Sequence, residues 1–392
     1  MLRIRIILFT AITLSISSSL LSAICENKPD RAVSAPAVFS PFNIDIDPME
    51  SLLLITLQDD PDTLYTGFEP QIFDDEINGK GMLVIAWRQD GYIDVYHQPT
   101  LQLNNAKYDI AGKGLANMVE QSMKGSYLQI SEKGVDTWFR FHDIYNREIE
   151  VKITENNPRK RKPFGLLAPM GDAAQNPSAM PMVLLHDFYF VRQKQTEYFI
   201  KVDGKYHMSD KLPLRMDGTK MYFMRYSPDP VIATINPAHS GYMQPLGLND
   251  KTDNDFNTER IHLCRKEDRI RIRSISRNYK EHRVMMTFDP PFPNITEIEK
   301  GEEIRGKFSI DGDRSTGKVS GVYSIKEQNG EIFIEMNPSG GWKPRPDKFS
   351  LRMMYTFAGV FKNWPKTYYW KARIHFDDNQ QPFMHSYWER RE

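Results

Sequence analysis

The stretch KEQNGEIFIEMNP (326–338) alternates apolar and polar residues after an Asn-Gly pair. In an extended chain successive side chains point to opposite faces, so Ile332, Ile334 and Met336 share one side. Asn329 and Gly330 both tolerate positive φ, which the tightest hairpin turns require. The segment therefore reads as a β-hairpin with one face turned to a core.

The same period of two recurs along the chain. REIEVKIT (147–154) sets Ile149, Val151 and Ile153 against Glu148, Glu150 and Lys152. TEYFIKVDGK (196–205) groups Tyr198, Ile200 and Val202 ahead of an Asp203-Gly204 turn. RIRIRSIS (269–276), KFSLRMMYTF (348–357) and TYYWKARIHF (367–376) alternate likewise, and RQDGYIDVYHQ (88–98) reads as a second hairpin. GLANMVEQSMKG (114–125) is the best helical candidate, with Leu115, Met118, Val119 and Met123 on one side, while 48–58 fits either type. The pattern predicts an all-β protein with few helices. Its 392 residues exceed what one sandwich or barrel normally holds. Two antiparallel β-barrel or sandwich domains are expected, at 35–246 and 260–392, divided by the polar, aperiodic GLNDKTDNDFNTER (247–260).

Residues 1–24 read as a secretory signal peptide: Arg3 and Arg5 precede an apolar run, Ile6 to Leu14, too short to cross a bilayer, and Ala23 supplies a small residue for cleavage. The expectation is an exported protein, periplasmic or secreted. The alternative is a lipoprotein anchored to a membrane surface through an acylated Cys25, although Ile24 is bulky for that signal. No later apolar run is long enough for a transmembrane segment. Cys25 and Cys264 are too few for a disulfide framework, and Cys264 reads as a small buried apolar residue. The 51 basic and 51 acidic residues balance, which gives no electrostatic case for nucleic acid as a partner.

Several motifs fail on inspection. GDRSTGKV (312–319) spaces Gly312, Gly317 and Lys318 like a phosphate loop, but Val319 replaces the hydroxyl residue and a strand follows, so it reads as a hairpin turn. In DKTDNDFNTE (250–259), Asp253, Asp255 and Asn257 suggest calcium, but Thr258 stands where glycine is needed and Cys264 where glutamate is, leaving a polar linker. The nine histidines contain no His-x-x-x-His pair and no HExxH, and GxSxG is absent, so neither metal nor cofactor is expected. Residues 155–182 are proline-rich and aperiodic, either a crossover over one end of a barrel or a functional lid. Within them RKRK (159–162) reads as a solvated charge run.

Two His-Asp pairs lie in aromatic strands, WFRFHDIY (138–145) and LLHDFYF (184–190). Alternation puts Asp143 with Phe139, Phe141 and Tyr145, and His186 with Leu184, Phe188 and Phe190. An ionisable group among aromatics needs a partner or a shifted pKa. Asp143 and His186 are therefore the candidate catalytic acid/base pair, and a satisfied structural role is the competing account of each. GGWKPRPDKFSLRMMYTFAGVFKNWPKTYYWK (340–371) carries more aromatic rings than one small core face holds. Trp370, Ala372, Ile374 and Phe376 form a packing face that leaves Tyr369 on the other side. Tyr145, Tyr189, His239, Trp342, Tyr355 and Tyr369 are the ligand-binding candidates.

The HDFYF strand (186–190), GGWKPRP (340–346), NWPKTYYWKARI (363–374) and the closing SYWERR (386–391) resemble the lipocalin-like family that includes the carotenoid 1,2-hydratases. The resemblance implies two consecutive β-barrels with an apolar cavity. None of the family's catalytic motifs matches position by position. The function expected is binding of a small hydrophobic or amphipathic ligand in an aromatic-lined cavity. One alternative is a hydratase- or isomerase-type enzyme acting on a lipophilic substrate. The other is a carbohydrate-binding or carbohydrate-active surface protein whose aromatics stack on sugars. The sequence leaves open whether the protein is an enzyme.

Overall fold

A computed structural model describes residues 37–168, 174–213, 215–216, 218–246, 259–266, 269–312, 316–345, 349–357 and 364–391. The expected signal segment (1–24), Cys25 and most of the expected 247–260 linker lie outside them.

The chain runs through β1 (Ile44–Asp47), β2 (Ser51–Thr56), β3 (Tyr65–Asp75), β4 (Gly79–Arg88), β5 (Ile93–His97), β6 (Leu115–Glu120), β7 (Tyr127–Ser131) and β8 (Gly134–His142). It continues with β9 (Glu148–Glu155), β10 (Phe164–Ala168), β11 (Met180–Arg192), β12 (Thr196–Val202), β13 (Lys205–His207), β14 (Met221–Ser227) and β15 (Asp229–Ile235). The remainder is β16 (His239–Tyr242), β17 (Glu259–Lys266), β18 (Arg269–Tyr279), β19 (His282–Pro293), β20 (Glu303–Asp311), β21 (Lys318–Gln328), β22 (Glu331–Lys343), one helix α1 (Phe349–Phe357), β23 (Tyr368–Phe376) and β24 (Pro382–Arg390). These strands form a ten-stranded sheet (β1-β15-β11-β14-β2-β3-β4-β5-β6, with β10 on β11), a five-stranded sheet (β13-β12-β9-β8-β7) and a nine-stranded sheet running from β16 through β24 back to β17. The sheets curl, making a half-barrel. No described helix is long and apolar enough to cross a membrane.

The ten-stranded sheet is buried on both faces, and β4 shows why. Its Met82, Val84 and Ala86 join a core with Phe139, Val151 and Ile200 of the five-stranded sheet. Leu83 and Ile85 join a second core that continues into Ile275, Ile334 and Trp370 of the nine-stranded sheet. A strand covered on both sides is apolar at consecutive positions, and the ambiguous segment around 51–56 is such a strand, β2. The two halves of the chain are tied across this second core. Phe42 stacks on Phe288 at 4.8 Å. Trp388 Nε1 donates to the carbonyls of Ile235 (3.0 Å) and Asn236 (2.8 Å). β16, ahead of the linker, pairs with β24 near the end of the chain.

The opening hairpin forms as expected between β21 and β22, with Asn329 at φ 57° and Gly330 at φ 85°. Strand β23 buries Trp370, Ala372 and Ile374 in alternation, and Phe376 at its end is half-buried. Two segments differ in type from the sequence reading. The expected helix at 114–125 is instead strand β6, parallel to β5. Fewer than twelve residues between two glycines make a marginal helix, and the open edge of β5 offers a ladder. The expected strand at 348–357 is helix α1. Its Leu351, Arg352, Met353 and Met354 are strong helix formers, and Tyr355 is buried against Trp342, edge to face at 5.3 Å. Cys264 is buried as expected, but it is disulfide-bonded rather than free.

Candidate functional site

The clearest site begins where β9 leaves its sheet. Alternation carries the inward face from Ile149, Val151 and Ile153 to Glu155, whose carboxylate is fully buried. Across from it, the last residue of β11, Arg192, donates Nε–H to Glu155 Oε1 at 2.7 Å. The same guanidinium donates to the carbonyls of Arg159 (2.8 Å), Asn157 (2.7 Å) and Lys133 (3.1 Å). Tyr226 donates its hydroxyl to Glu155 Oε2 at 3.1 Å. One buried ion pair thus fixes the path of the backbone through residues 157–161.

That path presents the RKRK run. Arg161 does not simply face water. Its guanidinium lies 4.5 Å over the ring of Tyr189 and 5.3 Å over Tyr226, which themselves stack at 5.5 Å. It also reaches Glu155 Oε2 at 3.4 Å and donates to the carbonyl of Ser131 at 2.8 Å. Burial, aided by the charge of Arg192 and opposed by Glu155, holds its pKa below the ordinary arginine value. An arginine so placed is still a cation at neutral pH.

The run borders a shallow cleft, a depression open to solvent. Five cations line it, Arg159, Lys160, Arg161, Lys162 and Arg192, beside the apolar surfaces of Tyr189, Phe190 and Met221. Glu155 pairs with Arg192 and Arg161, and exposed Arg159 and Lys160 add further positive charge at the rim. Arg159 is oriented by a bond from Nη1 to Thr219 Oγ1 at 3.3 Å. Cationic donors beside aromatic and aliphatic surfaces suit an anionic head group, with any apolar body lying along the open face.

Of the residues singled out from the sequence, Tyr189 belongs to this cleft. The expected inward faces are observed: Asp143 is buried with Phe139 and Phe141, and His186 with Leu184, Phe188 and Phe190, whereas Tyr145 is exposed. The two candidate acid/base groups lie in different neighbourhoods. Asp143 accepts the backbone N–H groups of Tyr145 and Arg147, both at 2.9 Å, and Arg147 Nε at 2.8 Å; Arg147 in turn reaches Asp62 at 3.1 Å. This is the network of a tight turn. His186 faces the nine-stranded sheet, its ring stacked on that of His282 at 3.5 Å and 3°. His239 is exposed at the start of β16, paired with Ser386. Trp342 and Tyr355 are core residues, Trp342 donating Nε1–H to the carbonyl of Thr316 at 3.1 Å. Tyr369 is half-buried beneath the guanidinium of Arg391, 4.0 Å from its ring.

Comparison with known proteins finds no family model that matches the sequence, no similar curated protein and no similar solved structure. The functional reading rests on the geometry of the chain itself.

Proposed function

We propose that this is an exported β protein that binds an amphipathic small molecule, with the anionic head of the ligand held in the Arg159–Lys162 cleft. The observation that carries the reading is the seating of Arg161 over Tyr189 at the wall of a cleft lined by four further cations. Charge-assisted bonds from Arg and Lys would orient the head, and burial of the ligand's apolar body would contribute roughly 25 cal/mol per Å² before ordering costs. The signal-like N-terminus and the resemblance to the lipocalin-like family support the same reading.

The test is titration calorimetry with dodecanoate and dodecanol at fixed salt. Dodecanoate is expected to bind at least tenfold more tightly than the alcohol. Equal affinities, or no binding of either, would dismiss the cleft as the head-group site. The open mouth of the cleft favours one further reading, an acidic saccharide whose carboxylates meet the cationic rim. Binding of a hexuronate oligomer in preference to dodecanoate would select it.

A further inference from the structure

A second cluster of titratable side chains lies away from the cleft, on the seam between the ten-stranded and nine-stranded sheets. Asp229 opens β15 and sits opposite His186 in the ladder with β11. Glu281 and His282 come from the turn between β18 and β19, where Lys280 adopts φ 50°. His282 Nε2 lies 2.5 Å from Asp229 Oδ2. One donor atom from each of Asp229, Glu281 and His282 falls within 4.8 Å of the other two.

Two features make this more than a surface ion pair. The His282 ring is clamped face to face on His186, which fixes its plane and the direction of its nitrogen. A third carboxylate, Asp187, stands beside His186 with a left-handed backbone at φ 45°. The lysine of the turn, Lys280, is directed to Glu50 at 3.7 Å. Negative charge is therefore gathered around one imidazole from strands far apart in sequence.

We propose that Asp229, Glu281 and His282 form a binding site for a divalent first-row transition-metal ion of the zinc type. Imidazole with carboxylates is a donor set for such ions, whereas Ca²⁺ and Mg²⁺ take oxygen donors. Bond lengths of about 2.0–2.2 Å place tetrahedral donors roughly 3.4 Å apart. To reach that spacing, the His282–Asp229 pair at 2.5 Å opens by rotation of Asp229, and the widest separation, now within 4.8 Å, closes by rotation of Glu281, which is exposed on the turn. Three protein donors leave a fourth position for water or for another carboxylate. Because the donors come from β15 and from the β18–β19 turn, a bound ion would clip the two halves of the chain together.

The test uses the whole mature chain, stripped with EDTA and dialysed, then titrated with Zn²⁺ by calorimetry. One Zn²⁺ per chain is expected, with a rise of several degrees in the thermal midpoint at saturating metal. Glu281→Gln, on an exposed turn where folding is not at stake, should weaken binding at least tenfold. His282→Gln should abolish it, with far-UV circular dichroism confirming the fold, and His239→Ala, remote in the ladder of β16, should leave it unchanged. The proposal is overturned by an absence of stoichiometric Zn²⁺ binding, by binding that survives both Glu281→Gln and His282→Gln, or by Ca²⁺ binding more tightly than Zn²⁺.

Discussion

Glu155 and Arg192 meet at 2.7 Å with their side chains 0% and 3% exposed, the most fully enclosed ion pair described in the molecule. Such a pair adds little over an apolar replacement of both partners, but removing one partner strands the other charge away from water. Glu155→Gln keeps the shape and removes the charge, leaving Arg192 and Arg161 uncompensated. The expected loss is about 3–5 kcal/mol in urea-unfolding free energy, with the cleft distorted because Arg192 no longer holds residues 157–159. A loss below about 1 kcal/mol, within the range of an ordinary hydrogen bond, would show that the pair does not organise the cleft.

Gly134, the first residue of β8, lies against this carboxylate. It adopts φ 148°, and a Cβ built there would lie 2.5 Å from Glu155 Cγ. Gly134→Ala should therefore destabilise the fold by displacing Glu155. In a double-mutant cycle with Glu155→Gly, which removes Cβ, Cγ and Cδ, all within 2.6 Å of the new methyl group, the two losses should sum to more than the loss in the double mutant. Strict additivity would place the cost of the alanine in its backbone conformation alone.

Much of this was readable before any coordinates. Alternation in 147–154, continued one step, points Glu155 inward behind Ile149, Val151 and Ile153, so a buried acid needing a cation could have been inferred from the strand. The inward faces of Asp143 and His186 followed from the same period, as did the turns at Asn329-Gly330 and Asp203-Gly204. What spacing could not reveal was the partner of each group. Arg192 follows Glu155 by 37 residues and His282 follows Asp229 by 53. Those distances are set by how strands order in a sheet and by how sheets pack. Arg159, Lys160 and Lys162 of the RKRK run are exposed as expected; only Arg161 departs, because nothing local predicts that Tyr189 and Tyr226 stand beneath it. The aromatic surplus of 340–371 likewise resolved into packing, since Trp342, Trp364, Tyr368 and Trp370 all belong to the core between the sheets.

The turn after β8 offers a test in pH. Burial alone would raise the pKa of Asp62, but bonds from the backbone of Leu64 and Thr63 and the charge of Arg147 outweigh it, and the net shift is downward from 3.8. A carboxyl with a folded pKa below its unfolded value contributes stability above the unfolded value and loses it as pH falls through the folded one. Asp62→Asn should therefore be less stable than the parent at pH 7, with the gap closing below about pH 3.8. Thermal midpoints of both proteins between pH 2.5 and 7 would reveal it. A gap constant across that range would mean that Arg147 draws nothing from the charge on Asp62.

The cleft makes its own demand on Tyr189. Its ring carries the Arg161 guanidinium at 4.5 Å. Tyr189→Phe retains the face of the ring and should bind dodecanoate as the parent does. Tyr189→Leu keeps apolar bulk but removes the π surface, which is worth about 0.5–2 kcal/mol to a cation depending on its desolvation. Binding should weaken by about twofold to thirtyfold, the factor that energy corresponds to at 25 °C. Raising the salt should weaken binding in all three proteins, because exposed Lys160 and its neighbours act through screened charge. If phenylalanine and leucine prove equivalent, Arg161 is held by Glu155 and the Ser131 carbonyl alone, and the aromatic platform contributes nothing to recognition.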